Sequence, residues 1–235
     1  MNELPVQFAE ILARLRPVSD EEYHRHIWAT EVRPTLLRWG LQERHIAEID
    51  DFGNAQQRKA FETVCRRMCG VGAIVALIGV RGCGKTTIAA QFARAKAWQN
   101  HRHAQMGGRP IVCCRYLKAV DLVARFRALY GEYHTNGAER LAESRDAFCR
   151  ELEYLVIDEL HEVGEQKVAA RLITDILDRR YAAKRDTLLI SNQTPAEFQA
   201  ATSDSVLSRL QEHGAIVSCT WESWRKKNRR LRDEG

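Results

Sequence analysis

The sequence predicts an α/β domain with a central parallel β-sheet flanked by helices and preceded by a helical extension. Three apolar runs support this fold class. Residues 73–78 lead into a glycine-rich loop and a helix-forming segment, 88–98. Residues 154–157 and 187–190 both end directly in polar side chains. Short apolar runs that alternate with helical segments are typical of buried parallel strands.

Length and composition agree with this fold class. A chain of 235 residues can hold one α/β domain and a short extension. Hydrophobic residues at 45% and charged residues at 29% are typical of a soluble globular protein. No apolar run approaches the roughly 20 residues that span a bilayer, and the first residues lack the basic and apolar regions of a signal peptide. We therefore expect a cytoplasmic protein without a membrane partner.

The seven cysteines are odd in number and fall mostly inside apparent strands and helices. This pattern predicts reduced thiols in the core. Cys83 differs because it lies in the glycine-rich loop. It is either sensitive to oxidation or a small residue that a tight loop tolerates.

The charge distribution suggests a polyanion partner without requiring one. The formal net charge is +5, and six basic residues lie close to the end of the chain. They either contact nucleic acid or form a solvated tail. These residues are Arg225, Lys226, Lys227, Arg229, Arg230 and Arg232.

The first 50 residues are predicted to form helices at 6–15, at 21–28 and from Pro34 to residue 41. Trp28 and Trp39 favour a docking extension or a small helical domain, or else both rings pack against the main domain. Two His-x-His pairs in the chain lack cysteines at zinc spacing, so we interpret them as surface residues rather than metal ligands.

The stretch from Gly79 to Thr86 fits the phosphate-binding pattern G-x-x-x-x-G-K-[ST], between a predicted strand and a predicted helix. Glycines let backbone N–H groups surround a phosphate, and the helix directs its positive end at the same anion. Lys85 is expected to reach the β- and γ-phosphates, and Thr86 to bind Mg²⁺. A chance glycine turn is the alternative. The predicted nucleotide-binding residues are Gly79, Gly82, Cys83, Gly84, Lys85, Thr86 and Thr87.

Polar side chains follow the other two apolar runs. Parallel strands place such residues at one edge of the sheet, where ligands bind. Asp158 is expected to hold Mg²⁺, and Glu159 to activate the water that attacks the γ-phosphate. A solvated acidic turn is the alternative for this pair. Asn192 is expected to orient the attacking water.

Basic and aromatic residues alternate in the segment after the second predicted strand, which suits single-stranded nucleic acid. An amphipathic helix that packs Phe126 into the core explains much of the same pattern. The candidate residues are Arg125, Phe126, Arg127, Tyr130 and Tyr133. Phe52 and Gln56, before the first strand, are candidates for contact with adenine.

The order of these motifs resembles the DnaC/IstB-like AAA+ ATPases. The series runs from the glycine loop through Leu155-Val156-Ile157-Asp158-Glu159, Ile190-Ser191-Asn192, Ser208-Arg209-Leu210 and Trp221-Glu222-Ser223-Trp224-Arg225. Residues 178–185 and the terminal W-x-S-aromatic-R make the sequence more similar to the DnaC helicase loaders than to the transposition helpers. The resemblance covers about residues 50 to 228 of the chain.

The resemblance implies a P-loop AAA+ domain over residues 51–228 without a separate lid domain. It makes Lys85 and Thr86 the Walker A residues, and Asp158 and Glu159 the Walker B residues. Asn192 becomes sensor 1, Arg209 an arginine finger that acts across a subunit boundary, and Arg225 sensor 2. Residues 119–152 correspond to the initiator-specific insertion that touches single-stranded DNA, residues 1–50 to the helicase-binding extension, and residues 229–235 form a basic tail.

These roles imply a Mg²⁺-dependent ATPase that oligomerises with ATP, binds single-stranded DNA and delivers a hexameric replicative helicase. A transposition helper of the IstB kind, acting on duplex DNA, is the nearest alternative. A more distant one is a binding module that holds nucleotide as a structural switch.

Overall fold

The computed structural model describes residues 19–47, 52, 54–107, 113–131, 145–163 and 167–222. Five strands in these segments form one sheet in the order β2-β3-β4-β1-β5, and every neighbouring pair is parallel. The predicted α/β class and parallel sheet are confirmed. The strands are β1 (Ile74–Gly79), β2 (Cys114–Lys118), β3 (Tyr154–Asp158), β4 (Asp186–Ser191) and β5 (Ala215–Cys219).

Helices connect the strands and cover both faces of the sheet. A π-helical turn (Trp28–Val32) joins α1 to α2, a 3₁₀ turn (Leu160–Glu162) follows β3, and residues 145–151 are helical. The α-helices are α1 (Asp20–Ile27), α2 (Arg33–Arg38), α3 (Glu43–Ala47), α4 (Ala55–Arg67), α5 (Lys85–Gln105), α6 (Ala119–Gly131), α7 (Lys167–Ala182), α8 (Pro195–Ala201) and α9 (Asp204–Glu212).

Strand β1 lies between β4 and β5, with Val75 paired to both Leu188 and Ala215. It is buried nearly throughout, as expected for a strand that is covered by helices on two faces. Because all five strands are parallel, their carboxyl ends meet at one edge of the sheet. Polar residues that are far apart in the sequence are therefore brought together there.

Alternate side chains of the sheet enter two separate cores. Val75, Leu77 and Val156 pack with α4, α5 and the N-terminal helices. Ile74 and Leu155 face the opposite side, where they pack with α6, α7, α8 and α9. This alternation is the period of two that a strand imposes on its side chains.

The N-terminal helices belong to the first of these cores. Trp39 is buried, and Trp28 packs against the same cluster with the Arg94 guanidinium 5.7 Å from its ring centroid. Instead of a break before Pro34, the helix continues through the π turn, in which Arg33 N donates to Trp28 O. Proline has no N–H to donate to residue 30, so an altered hydrogen-bond pattern at this point costs little.

The limits of the second strand differ from the prediction. The sequence predicts a strand at residues 111–116, whereas β2 runs from Cys114 to Lys118 because it pairs with Tyr154–Asp158. Residues 111–112, the predicted helix at 6–15 and the basic tail lie outside the described residues.

All seven cysteines are free thiols. Within the described segments, none of the helices combines the length and apolarity needed to cross a membrane.

Candidate functional site

The glycine loop joins the carboxyl end of β1, an interior strand of the sheet, to the start of α5. Lys85 is the first residue of α5 and is buried, and its Nζ donates to Gly79 O at 2.7 Å and to Val80 O at 2.8 Å. Gly79 has φ +137°, and a Cβ there would lie 2.3 Å from Cys219 O, so only glycine fits. The loop therefore combines three features of an anion-binding site: a glycine-dependent backbone conformation, a lysine and the N-terminus of a helix. Gly82 and Gly84 lie in the same loop, with Thr86 and Thr87 in the first turn of α5.

Two side chains from other elements hold this loop. Trp221 Nε1 donates to Cys83 O at 2.6 Å, and Gln57 Nε2 donates to Gly84 O at 3.4 Å. Of the two adjacent glutamines, Gln57 is buried and Gln56 is exposed. Consecutive residues of a helix point about 100° apart, so Gln57 faces the glycine loop, whereas the predicted Gln56 faces another direction.

The predicted adenine candidate Phe52 lies near α4. Its ring centroid is 5.1 Å from that of Phe61, and the Arg58 guanidinium lies 5.7 Å from its centroid. These contacts give Phe52 a packing role against α4.

Cys83 is the acidic thiol of the loop. A hydrogen bond from the Cys219 thiol lowers the pKa of Cys83 to about 6, and the ammonium of Lys85, 3.6 Å from its Sγ, acts in the same direction. Burial opposes both effects. The Cys83 thiol, followed by burial, raises the pKa of Cys219.

Asp158 ends β3 next to the loop and is buried. Its Oδ2 accepts hydrogen bonds from Thr86 Oγ1 at 2.9 Å and from the hydroxyl of Tyr116 at 2.6 Å, and its Oδ1 accepts from Glu159 N at 2.7 Å. Burial, followed by the charge of Asp158, raises the pKa of Tyr116 above its ordinary value, so the phenol remains a donor. The structure thus joins the two predicted Mg²⁺ ligands and adds a tyrosine.

Glu159 follows in the left-handed conformation, with φ 57°. This region is uncommon for a residue with a Cβ, and such positions cluster at functional sites. Lys118 Nζ, at the end of β2, lies 2.7 Å from Glu159 Oε2, and this contact with the carboxylate raises the pKa of Lys118. The carboxylate expected to activate water is therefore paired with a lysine.

Asn192 directly follows β4 and contacts the imidazole of His161. Its Nδ2 lies 3.3 Å from His161 Nε2, and its backbone N lies 3.5 Å from His161 Nδ1. His161 belongs to the 3₁₀ turn that begins just after Glu159. The predicted sensor and the acidic pair are therefore linked through a histidine.

Arg209 lies on α9, and its partners lie on α7 and α9. Its guanidinium pairs with the Asp178 carboxylate, donates to Ser205 Oγ at 3.2 Å and lies 4.9 Å from the ring centroid of Tyr181. The predicted finger is therefore held by its own chain. Arg225 lies outside the described residues.

The candidate nucleic-acid residues lie on or after α6. Phe126 is buried, and its ring centroid lies 5.5 Å from that of Phe148 in an edge-on contact. A buried ring cannot stack on a nucleic-acid base, so this part of the prediction is wrong. The alternative interpretation, an amphipathic helix that packs this ring into the core, accounts for it. Arg125 and Arg127 are exposed. Only the backbone of Tyr130 is described, and Tyr133 lies outside the described residues.

Sequence reasoning missed Tyr116, Lys118 and His161 as parts of the site. Tyr116 and Lys118 are two residues apart on β2, and they reach the acidic pair only through the pairing of β2 with β3. The signal that could have found them is that β2 ends in a polar residue and is the neighbour of β3, which leads into the acidic pair. His161 carried no such signal, because its partner Asn192 is 31 residues away.

The donor set fits a magnesium nucleotide. The hydroxyl of Thr86 and the carboxylate of Asp158 are oxygen donors that converge beside an anion-binding loop, and Mg²⁺ binds through one or two such groups plus phosphates. Among the residues in the described segments, no group of three or more His, Cys, Asp or Glu side chains could hold a metal ion. Lys85 and the glycine loop would take the phosphates.

Comparison with known proteins gives one family match and several structural likenesses. The model of the family described as IstB-like ATP binding protein matches residues 42–232. The uncharacterized protein YdaV of Escherichia coli K12 is 27% identical over 131 residues, 54% of this chain and 50% of its own. The chain thus spans about half the length of the curated relative it matches.

Among solved structures, the DnaC helicase loader superposes with a TM-score of 0.55 at 20% identity, covering 75% of this chain and 99% of its own. DnaA from Aquifex aeolicus bound to AMPPCP gives 0.54 at 17% identity, covering 78% and 53%. At these identities the likeness establishes the fold, a P-loop AAA+ fold.

Proposed function

The chain belongs to the family of IstB-like ATP binding proteins, and from that premise we propose that it is a Mg²⁺-dependent ATPase that loads a replicative DNA helicase. In this proposal it oligomerises with ATP, binds single-stranded DNA and delivers a hexameric helicase. The observation that carries the proposal is the hydrogen bond between Thr86, which follows the glycine loop, and Asp158, whose carboxylate also accepts from the backbone N of Glu159.

Each residue of the site has a role in phosphoryl transfer to water. Mg²⁺ bound with ATP supplies positive charge that neutralises the phosphates. Thr86 and Asp158 would hold the ion, and Lys85 would exchange its loop carbonyls for phosphate oxygens. Glu159 would leave Lys118 and accept a proton from the attacking water, which Asn192 would orient. Arg209 would stabilise the developing charge in a neighbouring subunit, as arginine fingers do.

The role in replication rests on the motif series and the fold likeness. The DnaC helicase loader and the DnaI protein share the fold at 20% and 19% identity. A replication initiator, DnaA, has the same fold and has been solved bound to AMPPCP and single-stranded DNA. The motif series, together with this shared fold, supports the proposal of a loader.

Helicase binding is proposed for the N-terminal extension, residues 1–50, because of its position in the chain. Trp39 and Leu36 of this extension are buried in the core of the main domain. Removing the extension would expose that core, so the full chain is the right bait for a binding experiment.

The family match also favours a second candidate, a transposition helper that acts on duplex DNA. The two candidates differ in the form of DNA that stimulates hydrolysis. ATP turnover of the full chain is measured with single-stranded and duplex oligonucleotides of one sequence, and Glu159→Gln serves as the hydrolysis-deficient control.

A loader is stimulated more by single strands, and with ATP it retains the replicative helicase of its own host or element. Stronger stimulation by duplex without helicase capture favours the transposition helper. ATP binding with no turnover above that of Glu159→Gln would leave a nucleotide-binding switch. Absence of any nucleotide binding would contradict all three assignments.

A further inference from the structure

Tyr116 is an aromatic residue of β2 that hydrogen-bonds to the acidic pair through Asp158. Its hydroxyl donates to Asp158 Oδ2 at 2.6 Å, and the same oxygen accepts from Thr86 Oγ1. Both Tyr116 and Asp158 are 6% exposed, so water does not readily replace this hydrogen bond. With the Glu159 N–H on Oδ1, three donors fix the carboxylate. Removal of the phenol hydroxyl leaves Oδ2 with Thr86 alone among these donors.

Tyr116 is itself held by a short segment of the N-terminal extension, residues 38–45. Its backbone N donates to Trp39 O at 2.7 Å, and its ring centroid lies 5.3 Å from that of His45. The adjacent Arg115 donates through Nη1 to Arg38 O at 3.0 Å. Segment 38–45 therefore contacts both the backbone and the ring of this tyrosine on the edge strand β2.

The contact is too close to allow a side chain at one position. Gly40 has φ +99°, and a Cβ there would lie 2.4 Å from Tyr116 O. A substitution at Gly40 must displace segment 38–45 or β2. Because Trp39 is buried in the core, displacement of the segment would also disturb the packing of this ring.

We propose that Tyr116 is a positioning residue for the Asp158 carboxylate, and that it links the placement of segment 38–45 to the affinity of the site for Mg²⁺. The inference rests on the proposed function, since it requires that Thr86 and Asp158 hold Mg²⁺ with a nucleotide. It gives the extension a second role beyond partner contact. A change in the position of the extension alters metal binding through one phenol.

The test measures metal binding in addition to turnover. The full chain is titrated with Mn²⁺ in the presence of a non-hydrolysable ATP analogue, and bound metal is followed by electron paramagnetic resonance. Tyr116→Phe keeps the ring and loses only the hydroxyl. Groups that orient metal ligands typically contribute about 10- to 100-fold in affinity, so we expect the Mn²⁺ dissociation constant to rise about tenfold.

The inference also predicts that a fluorescent ATP analogue binds in EDTA as in the wild type. A merely structural role for Tyr116 predicts instead that this metal-free binding weakens together with Mn²⁺ binding. A Mn²⁺ dissociation constant within about twofold of the wild type, with nucleotide binding intact, would overturn the inference and leave the proposed function standing. Absence of nucleotide binding in the wild type would overturn both.

The link to the extension is tested with glycine variants. Gly40→Ala should weaken Mn²⁺ binding in the wild-type background and add little in the Tyr116→Phe background, because both changes act through one hydrogen bond. Gly70→Ala is the matched control. Gly70 has φ +81° and nothing within 4 Å of a Cβ, so it carries similar backbone strain without the contact.

Additive effects of Gly40→Ala and Tyr116→Phe would overturn the link. If Gly40→Ala does not fold, His45→Ala replaces it in the same double-mutant cycle, because it removes the ring contact with Tyr116 and leaves Gly40 in place. An equal loss of metal binding in Gly70→Ala would likewise contradict the link, since strain alone would then explain the result.

Discussion

Cys83 places a negative charge in a loop that is built to receive phosphates. Its pKa is lowered to about 6 by the Cys219 thiol and by Lys85, so at neutral pH the thiolate lies beside the ammonium. An unfolded cysteine ionises near pH 8.5. Because the folded pKa is the lower one, ionisation stabilises the folded chain.

We expect this stabilisation to be fully present above about pH 8.5 and to be lost as the pH falls through 6. The difference in unfolding free energy between the wild type and Cys83→Ala should therefore grow from pH 5.5 to pH 8. Urea denaturation at several pH values measures it. Cys149→Ala is the control, since burial raises the pKa of Cys149 to about 11 and its difference should stay nearly constant below pH 8. A constant difference for Cys83→Ala would show that the loop holds a neutral thiol.

The ion pair between Lys118 and Glu159 restrains the residue that is proposed to activate water. Both side chains are partly exposed, at 33% and 24%, so the pair is weak. We expect Lys118→Met to raise ATP turnover without DNA by about two- to fivefold, which corresponds to a pair worth up to about 1 kcal/mol. Stimulation by DNA should shrink by a similar factor. A steady-state ATPase assay measures both, and reduced turnover without DNA would mean that Lys118 assists hydrolysis.

Helix α7 is fixed to the sheet by a buried arginine. Arg180 is fully buried and donates to Thr187 Oγ1 at 2.9 Å, Leu152 O at 2.9 Å and Asp186 O at 2.6 Å. Burial lowers the pKa of Arg180 to about 10, which leaves it charged at neutral pH. Its guanidinium thus satisfies backbone groups at the amino-terminal edge of the sheet, opposite the candidate site.

We expect Arg180→Leu to lower the free energy of unfolding by about 3–5 kcal/mol, because breaking a buried charged network leaves polar groups without partners. The neighbouring Arg179→Leu is the matched control. Arg179 pairs with Asp175 and Asp146 at the surface, so its loss should cost about 0–1 kcal/mol. Denaturant unfolding compares the two variants, and equal losses would show that the buried network contributes little.

At the scale of elements, the sequence predicted the strands that carry motifs and misplaced β2. β1, β3 and β4 were predictable because each apolar run ends in a glycine loop or a polar side chain. β2 was placed too early because its limits depend on pairing with β3, which is a long-range property. For the same reason Tyr116 and Lys118 could not be assigned to the site, although Asp158 and Glu159 could. The continuity of α1 with α2 depends on a π turn, which no local sequence pattern predicts.

At the scale of the whole molecule, the arrangement of Arg209 bears on assembly. Arg209 of α9 contacts Asp178 and Tyr181, which lie on α7 of the same chain. If Arg209 completes the site of a neighbouring subunit, the contact between copies is heterologous, with different surfaces on its two sides. Each interface then needs Glu159 from one chain and Arg209 from the other.

This division of roles can be tested by mixing two inactive variants. Arg209→Ala keeps Glu159 but lacks the finger, and should lose about 10³-fold or more in turnover. Glu159→Gln keeps the finger but cannot activate water. In a 1:1 mixture of freely exchanging subunits, about a quarter of heterologous interfaces combine an intact Glu159 with an intact Arg209. We therefore expect the mixture to regain about a quarter of wild-type turnover, measured with ATP, Mg²⁺ and single-stranded DNA. If each chain used its own Arg209, mixing would restore nothing, and the pair with Asp178 would then be part of a site within one chain.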